Sequence, residues 1–182
     1  MTEEITLISN LQNASTKEQA FRTLISLYKE RLYWHIRKIV ISHDDADDVL
    51  QNTFIKVFKN IDNFNQESKL YSWLYRIATN EAITFINKRA KSNHLDVSEM
   101  QQVLISNLES DSWFSGNEIQ LILQKAIATL PRKQQLVFNM KYFDNMKYSD
   151  ISDVLDTSIG ALKTSYHHAV KKIEKYIKTN SN

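Results

Sequence analysis

The chain has 182 residues and a net charge of +2, and it contains two glycines, one proline and no cysteine. So few helix-breaking residues predict an all-α protein, and the lack of cysteine excludes disulfides, thiolate catalysis and cysteine metal sites. The N-terminus is acidic where a signal peptide is basic, and no apolar run reaches the length of a membrane span. We therefore expect a cytoplasmic protein with no membrane insertion.

Charge is distributed unevenly along the chain. Residues 65–92 and 119–182 are basic, whereas residues 93–118 contain acidic residues and no lysine or arginine. Cations displace the counterions of phosphate groups, so two basic segments predict two contacts with nucleic acid. We expect two small helical domains, at 1–92 and 118–182, joined by an acidic linker at 93–117. A pair of helical domains with uneven surfaces and no nucleic-acid contact would give the same charge pattern.

The first amphipathic pattern covers residues 16–61. Its apolar residues recur in steps of three and four up to Val40, which predicts an amphipathic helix or a bent pair, and a polar stretch at 42–45 then interrupts the pattern before the next helix. This next helix begins with four aspartates, where the helix dipole favours negative charge: Asp44, Asp45, Asp47 and Asp48. His43 has no ligand-like partner nearby, so we interpret it as a loop or capping residue. A two-metal enzyme is disfavoured because no second acidic motif has a matching spacing.

The stretch 63–89 combines a core-facing stripe with an unusual flank. On a helix, the apolar residues fall on one side: Leu70, Leu74, Ile77, Ala78, Ala82 and Phe85. The adjoining edge carries an aromatic, a cation and polar residues: Trp73, Arg76, Asn80, Thr84 and Asn87. This combination suits stacking and hydrogen bonding to bases and phosphates. The preceding polar residues, 63–69, predict a loop. A buried Trp73 and an ordinary solvated basic helix end would fit the same composition.

The helical pattern weakens from residue 92 to residue 116, where polar and acidic residues accumulate. We predict a linker with one short helix around 99–108. Trp113 and Phe114 are unusual in a solvated linker, and we expect them to pack on one of the domains or to mark the start of the second.

The last third of the chain has a helix-turn-helix pattern. A helix at 119–130 is followed by Pro131, which opens the next helix. A short helix at 149–155, a turn at 156–158 and a longer basic helix from Ile159 then follow. The first residues of that longer helix would face base edges, and its lysines would reach phosphates. The predicted DNA-facing residues are Ser158, Gly160, Ala161, Lys163, Thr164, His167 and Lys171.

Three segments of the chain resemble bacterial RNA polymerase sigma factors of the extracytoplasmic-function type. The order of Phe64, Trp-Leu-Tyr-Arg-Ile-Ala-Thr-Asn at 73–80 and a basic helix end resembles sigma regions 2.3 and 2.4. The acidic helix start at 46–54 resembles region 2.2. The motifs at 130–138, 148–155 and 160–173 resemble region 4. Together these segments, with their flanking helices, cover nearly the whole chain outside the linker and the termini.

The resemblance assigns roles to residues. Members of this family bind the non-template strand of the minus-ten element, with one base flipped into a loop pocket. Here the residues matched to that contact are Asn65, Gln66, Ser68, Lys69, Trp73, Arg76, Asn80, Thr84, Asn87 and Lys88. The residues matched to the docking face for the polymerase clamp are Asp47, Asp48, Gln51, Asn52, Phe54 and Lys56. The helix-turn-helix residues given above would read the minus-thirty-five element.

The expected function is that of a non-enzymatic sigma factor with no cofactor, which binds core RNA polymerase through its clamp and flap and opens promoter DNA. An anti-sigma factor is a further candidate partner. A helix-turn-helix regulator that binds duplex DNA without the polymerase is the alternative, but it leaves the patterns at 48–51 and 73–80 unexplained. A third alternative is a helical nuclease, which would need metal-dependent turnover. Asp156 replaces the family's turn glycine, and Ser165 and His168 replace common arginines, which removes two cations from the DNA-facing helix.

Overall fold

The structure is a computed structural model that describes residues 2–111 and 117–180. Within these ranges the chain forms nine α-helices and one 3-10 turn, and no strand. The first helices are α1 (Thr2–Leu11), α2 (Lys17–Val40), α3 (His43–Asn60), the 3-10 turn Ile61–Asn63, and α4 (Leu70–Ser92). The later helices are α5 (Val97–Ser110), α6 (Glu118–Ala128), α7 (Arg132–Tyr142), α8 (Tyr148–Leu155) and α9 (Ile159–Asn180). This confirms the predicted all-α fold.

Helices α2, α3 and α4 pack on one another around a common apolar core. The predicted stripe of α4 is at the centre of this core, since Leu70, Leu74, Ala78 and Ala82 are all fully buried. Ser42 accepts a hydrogen bond from the backbone N–H of Asp45 and caps α3. The polar break between α2 and α3 is therefore a helix end followed by a new N-cap, as the sequence pattern predicts.

Helix α1 is not among the predicted elements. Ile8 and Leu11 of this helix are buried in the same core, and α1 packs along α2. Their spacing of three residues, with Ile5 one turn earlier, gives α1 a short apolar stripe. Such a stripe is too short to stand out in a sequence pattern, because an isolated ten-residue helix is marginal in water.

The described part of the acidic segment is mostly helical. Asp96 and Glu99 form a capping box at the start of α5, and Met100, Leu104 and Leu108 of this helix are buried. Helix α5 packs against α6, so it is longer and more integrated than the short linker helix we predicted. Trp113 and Phe114 lie outside the described residues, and the linker bounds 93–117 stay a prediction.

The second bundle consists of α6 to α9 and follows the predicted plan closely. Pro131 is the N-cap of α7, and Asp156 ends α8 in the left-handed region with a φ of 48°. Aspartate tolerates this conformation better than most residues, which explains how it replaces a turn glycine. Leu162, Ala169 and Ile173 bury one side of α9 against the preceding helices.

The two bundles contact each other directly. Helix α8 packs on α4, and the end of α7 approaches α2. No helix in the described ranges is long and apolar enough to cross a membrane.

Candidate nucleic-acid interface

The flank of α4 has the predicted exposure. Arg76, Asn80, Thr84, Asn87 and Lys88 are all exposed, and they lie along the flank, outside the buried stripe. Steps of three or four residues place Arg76, Asn80, Thr84 and Asn87 in one row, and Lys88 directly follows this row. The row presents one cation, two amides and a hydroxyl before a basic end, which is a surface able to donate to phosphates and to read base edges.

The loop before α4 is fixed at its beginning by an aromatic pair. Phe64 is only 5% exposed, and its ring centroid lies 5.0 Å from that of the partly buried Trp73. After this anchor, Asn65, Gln66 and Lys69 are exposed and Ser68 is partly exposed. Gln66 has a φ of 57°, a left-handed conformation that is uncommon for this residue. Trp73 therefore serves as a partial core anchor and as one wall of the loop.

A cavity of about 300 Å³ lies between this loop and α4. Its lining combines loop residues, the flank of α4 and one residue of the second bundle: Asn63, Phe64, Asn65, Glu67, Ser68, Trp73, Arg76 and Asp153. The aromatic wall can stack on a planar group, while the amide, hydroxyl and guanidinium groups can hydrogen bond to its edges. Of the loop residues predicted to hold a flipped base, Asn65 and Ser68 line this cavity, whereas Gln66 and Lys69 line the space between the loop and α1.

Two of the predicted DNA-binding cations are engaged by the second bundle. Lys69 Nζ donates to Asp150 Oδ1 at 2.8 Å, and this hydrogen bond raises the pKa of Lys69 above its usual value. Arg76 Nε donates to the backbone carbonyl of Asp153 at 2.9 Å. Asp150 is itself only 5% exposed and also accepts from Tyr71 Oη at 3.4 Å. Helix α8 therefore occupies the same side chains that would contact the minus-ten strand.

A buried ionic cluster joins the bundles at a second point. Asp144, in the connection between α7 and α8, accepts from His35 Nδ1 at 2.8 Å and from Lys38 Nζ at 2.9 Å. Burial alone would raise the pKa of Asp144, but the hydrogen bonds and charges of His35 and Lys38 outweigh it and hold this pKa below its usual range. Carboxylates paired in this way stay ionised in the folded state.

Both ring nitrogens of His35 have a polar partner. Nε2 lies 2.9 Å from the hydroxyl of Thr79, which itself donates to the Tyr75 carbonyl at 2.7 Å. The other nitrogen, Nδ1, faces the ionised Asp144. The cluster therefore ties α2, α4 and the connection between α7 and α8 together through buried side chains.

The predicted polymerase-docking face on α3 is largely exposed. Asp47, Asp48, Gln51 and Asn52 are exposed along one side, and Lys56 joins them while pairing with Glu81 of α4. Phe54 differs from the other residues of this set, since it is 8% exposed and its ring packs edge-on against Phe21. It lies four residues after Leu50 and three before Val57, both of which are buried, so it belongs to the apolar stripe.

The acids at the start of α3 are not arranged as a metal site. Asp45 pairs with Arg89 of α4, while Asp44 is exposed near the helix N-terminus. His43 Nδ1 lies 2.6 Å from the Tyr33 hydroxyl, and its Nε2 lies 3.7 Å from Asp47. Among the residues that the structure describes, no three histidine, aspartate or glutamate side chains converge on a metal-binding point.

The predicted DNA-facing residues of α9 all lie on its solvent side. They are Ser158, Gly160, Ala161, Lys163, Thr164, His167 and Lys171, and every one is exposed. A Cβ added at Gly160 would meet nothing within 4 Å, so this glycine leaves open space in front of the helix. Thr164 donates to the carbonyl of Gly160 at 3.1 Å, so its hydroxyl is partly satisfied within the helix. The contacts between the bundles do not use this face.

Sequence reasoning missed two groups of residues around the interface. Glu4 and Gln12, on and just after α1, bond to the backbone at the two ends of the loop. The ionic cluster of Asp144 is the second group. For Glu4 and Gln12, the only signal in the sequence is the apolar spacing of Ile5, Ile8 and Leu11, which is typical of a short helix. For the cluster of Asp144 there is no signal, because Asp144 lies more than a hundred positions from its partners in the chain.

Comparison with known proteins agrees with this geometry. The profile of Sigma-70 region 2 matches residues 24–92, and that of Sigma-70, region 4 matches residues 120–173. The ECF RNA polymerase sigma factor SigW of Bacillus subtilis is 27% identical over 169 residues, which cover 88% of this chain and 90% of the relative.

Two solved structures have a similar fold. CnrH, in complex with the cytosolic domain of CnrY, has a TM-score of 0.71 at 18% identity, covering 97% of this chain and 98% of that one. The sigma factor RpoE from Bartonella quintana, in complex with the anti-sigma factor NepR, has a TM-score of 0.67 at 20% identity. That likeness covers 88% of this chain and 98% of RpoE.

Proposed function

The chain belongs to the sigma-70 family, as a sigma factor of the extracytoplasmic-function type, and from this we propose how it acts on promoters. It binds core RNA polymerase, recognises promoter DNA and takes part in opening the duplex for transcription initiation. The observation that carries the proposal is the exposed row on α4 beside the loop cavity. A protein that reads only duplex DNA needs no such cavity next to a stacking aromatic.

The chemistry of strand capture fits this surface. Taking a base out of the stack costs a few kcal/mol, and a binding site recovers that cost by stacking on the base and bonding to its edges. We assign the loop residues Asn65, Gln66, Ser68 and Lys69 to the flipped base, with Trp73 as the stacking wall. The row from Arg76 to Lys88 then tracks the unpaired strand. A short amide such as Asn80 can both donate to a base and accept from it.

We assign the other two surfaces to the polymerase and to the duplex. The exposed face of α3, from Asp47 to Lys56, contacts the polymerase clamp. The solvent face of α9 contacts the minus-thirty-five element in the major groove, where small residues allow close approach. The functional domains correspond to 1–92, the acidic linker 93–117 and 118–182.

Other properties follow from family membership. Sigma factors generally initiate transcription without catalysing a reaction, and we propose that this chain is likewise non-enzymatic and works in the cytoplasm, where the polymerase is. RpoE, which has a similar fold, is known in complex with an anti-sigma factor. A protein of that class is a further partner that we propose for this chain.

The experiment that tests this function uses Asn80→Ala. The change removes an exposed amide and leaves the buried stripe of α4 intact, so the fold and the affinity for core polymerase should survive. Each lost base contact costs about 1–3 kcal/mol of discrimination. We expect less permanganate reactivity in the minus-ten region and less run-off transcript, with partial rescue on a template already mismatched across that region.

The matched control is Gln19→Ala, which removes an exposed amide from α2. The control should open promoters like the parent. If Asn80→Ala also opens them like the parent, and changes in the loop leave minus-ten preference unaltered, the strand-capture role is wrong. If the parent binds promoter duplex equally well with and without core polymerase, the helix-turn-helix regulator replaces the sigma function.

A further inference from the structure

In addition to the ring contact of Phe64 with Trp73, an amide side chain holds the first end of the loop that precedes α4. Gln12, just after α1, donates from Nε2 to the carbonyl of Ile61 at 3.1 Å and to the carbonyl of Phe64 at 3.0 Å. These carbonyls belong to the 3-10 turn and to the residue that opens the loop. A side chain from the N-terminal segment therefore bonds to the backbone from which the loop departs.

The second end of the loop is held by a carboxylate of α1. Glu4 Oε1 accepts from the backbone N–H of Leu70, the first residue of α4, at 3.0 Å. The N-cap residue of α4 is Lys69, which makes no side-chain capping bond. The first N–H groups of a helix have no partner within it, and negative charge is favoured there. Glu4 therefore supplies from another helix the cap that the loop itself lacks.

The middle of the loop has little packing of its own. A cavity of about 480 Å³ separates residues 66–69 from α1, and the cavity of about 300 Å³ lies on the other side. Gln66 has a left-handed backbone, which a flexible loop would leave readily. With open space on both sides, the conformation of the loop depends on how its two ends are placed.

Helix α1 is anchored in the core and can therefore hold the two ends of the loop in place. Ile8 and Leu11 are buried in the main core, and Lys17 at the start of α2 pairs with Asp62 of the 3-10 turn at 2.7 Å. The bonds of Glu4 and Gln12 therefore start from a rigid support. A binding loop needs such rigid support, because a loop whose supporting residues are loosely packed does not keep its binding groups in position.

We propose that Glu4 and Gln12 are positioning residues that set the conformation of the strand-capturing loop, and so the base preference of this protein at the minus-ten element. This inference rests on the proposed function of the loop. Neither residue contacts the DNA in this role. Helix α1 is then a working part of promoter recognition and not simply an additional core helix.

The test measures base preference with a promoter library randomised across the minus-ten element, transcribed by core polymerase with the full chain. Gln12→Ala should narrow the difference in transcript between preferred and disfavoured bases by about 2- to 10-fold, the effect of losing one or two hydrogen bonds. Glu4→Ala should act in the same direction. Glu4→Gln should keep more of the preference than Glu4→Ala, because its amide oxygen can still accept from Leu70.

The matched control is Glu3→Ala, which removes the neighbouring exposed acid of α1 and should keep the parent's preference. Core affinity and binding to a minus-thirty-five duplex should change less than 2-fold in all variants. Equal loss of transcript at every minus-ten sequence, or an unchanged preference in folded Gln12→Ala and Glu4→Ala, would overturn the positioning role. If the parent itself shows no minus-ten preference, the proposed function fails instead, so the two failures are distinguishable.

Discussion

Replacing Asp144 with asparagine should separate the two helical bundles without unfolding either of them. Asp144 accepts from two buried side chains of the first bundle, at 2.8 Å from His35 and 2.9 Å from Lys38. The side chains of His35 and Lys38 are 0% and 9% exposed. Asparagine is nearly the same size but carries no charge, so Lys38 would lose its anion and His35 would lose its charged acceptor.

The size of the effect follows from burial. Removing one partner of a buried ion pair costs about 3–5 kcal/mol, because the other charge is left without compensation. Asparagine keeps one acceptor oxygen, so we expect a cost at the lower end of this range, about 3 kcal/mol. This cost corresponds to a shift on the order of 100-fold in the equilibrium between docked and separated bundles. The contact between Lys69 and Asp150 cannot offset this, since the Lys69 side chain is 55% exposed and such pairs contribute about 0–1 kcal/mol.

Separation of the bundles is the response to Asp144→Asn that has the lowest free-energy cost. When the bundles move apart, His35 and Lys38 become accessible to water and no longer need a partner, whereas unfolding would also expose the apolar core. Interfaces between domains of one chain commonly permit such motion. Small-angle X-ray scattering should therefore show a larger radius of gyration for Asp144→Asn than for the parent at neutral pH.

The control is Asp156→Asn, the same chemical change at an exposed position of the second bundle. Asparagine tolerates the left-handed backbone of Asp156, so this variant should scatter like the parent. An unchanged radius of gyration for Asp144→Asn, together with a lower melting temperature, would show that the cost falls on the fold and that the bundles do not separate.

Three further predictions concern pH and the other two surfaces. Because the pKa of Asp144 is held below its usual range, the stability that this carboxylate contributes is fully present above about pH 4 and is lost in stronger acid. Scattering should therefore show that the parent expands only below that pH. Asp144→Asn should show no such step. The double change Asp48→Ala with Gln51→Ala should weaken binding to core polymerase, measured by fluorescence titration, while thermal unfolding moves by less than about 0.5 kcal/mol. Lys163→Ala should weaken binding to a minus-thirty-five duplex and lower the slope of log affinity against log salt by about 1.

Local periodicity was sufficient to predict most of the helices and the exposed row of α4. Asn80 and Asn87 follow the buried Ala78 by offsets that turn the side chain to another side of the helix, and this separation depends only on helix geometry. The left-handed Asp156 was predictable from the resemblance, because the family usually has glycine at this turn position and aspartate tolerates the same conformation. These features are set by residues close together in the chain.

Phe54 is matched to the docking residues by its motif, while Leu50 and Val57 place it on the apolar stripe of α3, so its contact with the polymerase stays a prediction. Helix α1 and the bundle contacts could not be predicted, because they depend on tertiary packing between distant residues. Glu4 and Leu70 are 66 positions apart, and Lys69 and Asp150 are 81 apart.

The placement of charge on the second bundle explains how it can meet two different surfaces. Its sequence is basic overall, but Asp144 and Asp150 point toward the first bundle, while Lys163 and Lys171 are exposed on α9. Docking on the first bundle therefore uses carboxylates, and duplex binding would use cations on a separate face. Capture of the minus-ten strand differs from duplex binding, because a carboxylate of the second bundle binds Lys69 when the two bundles are docked. Under the proposed function, contact with the minus-thirty-five duplex is compatible with docked bundles, whereas capture of the minus-ten strand requires them to separate first.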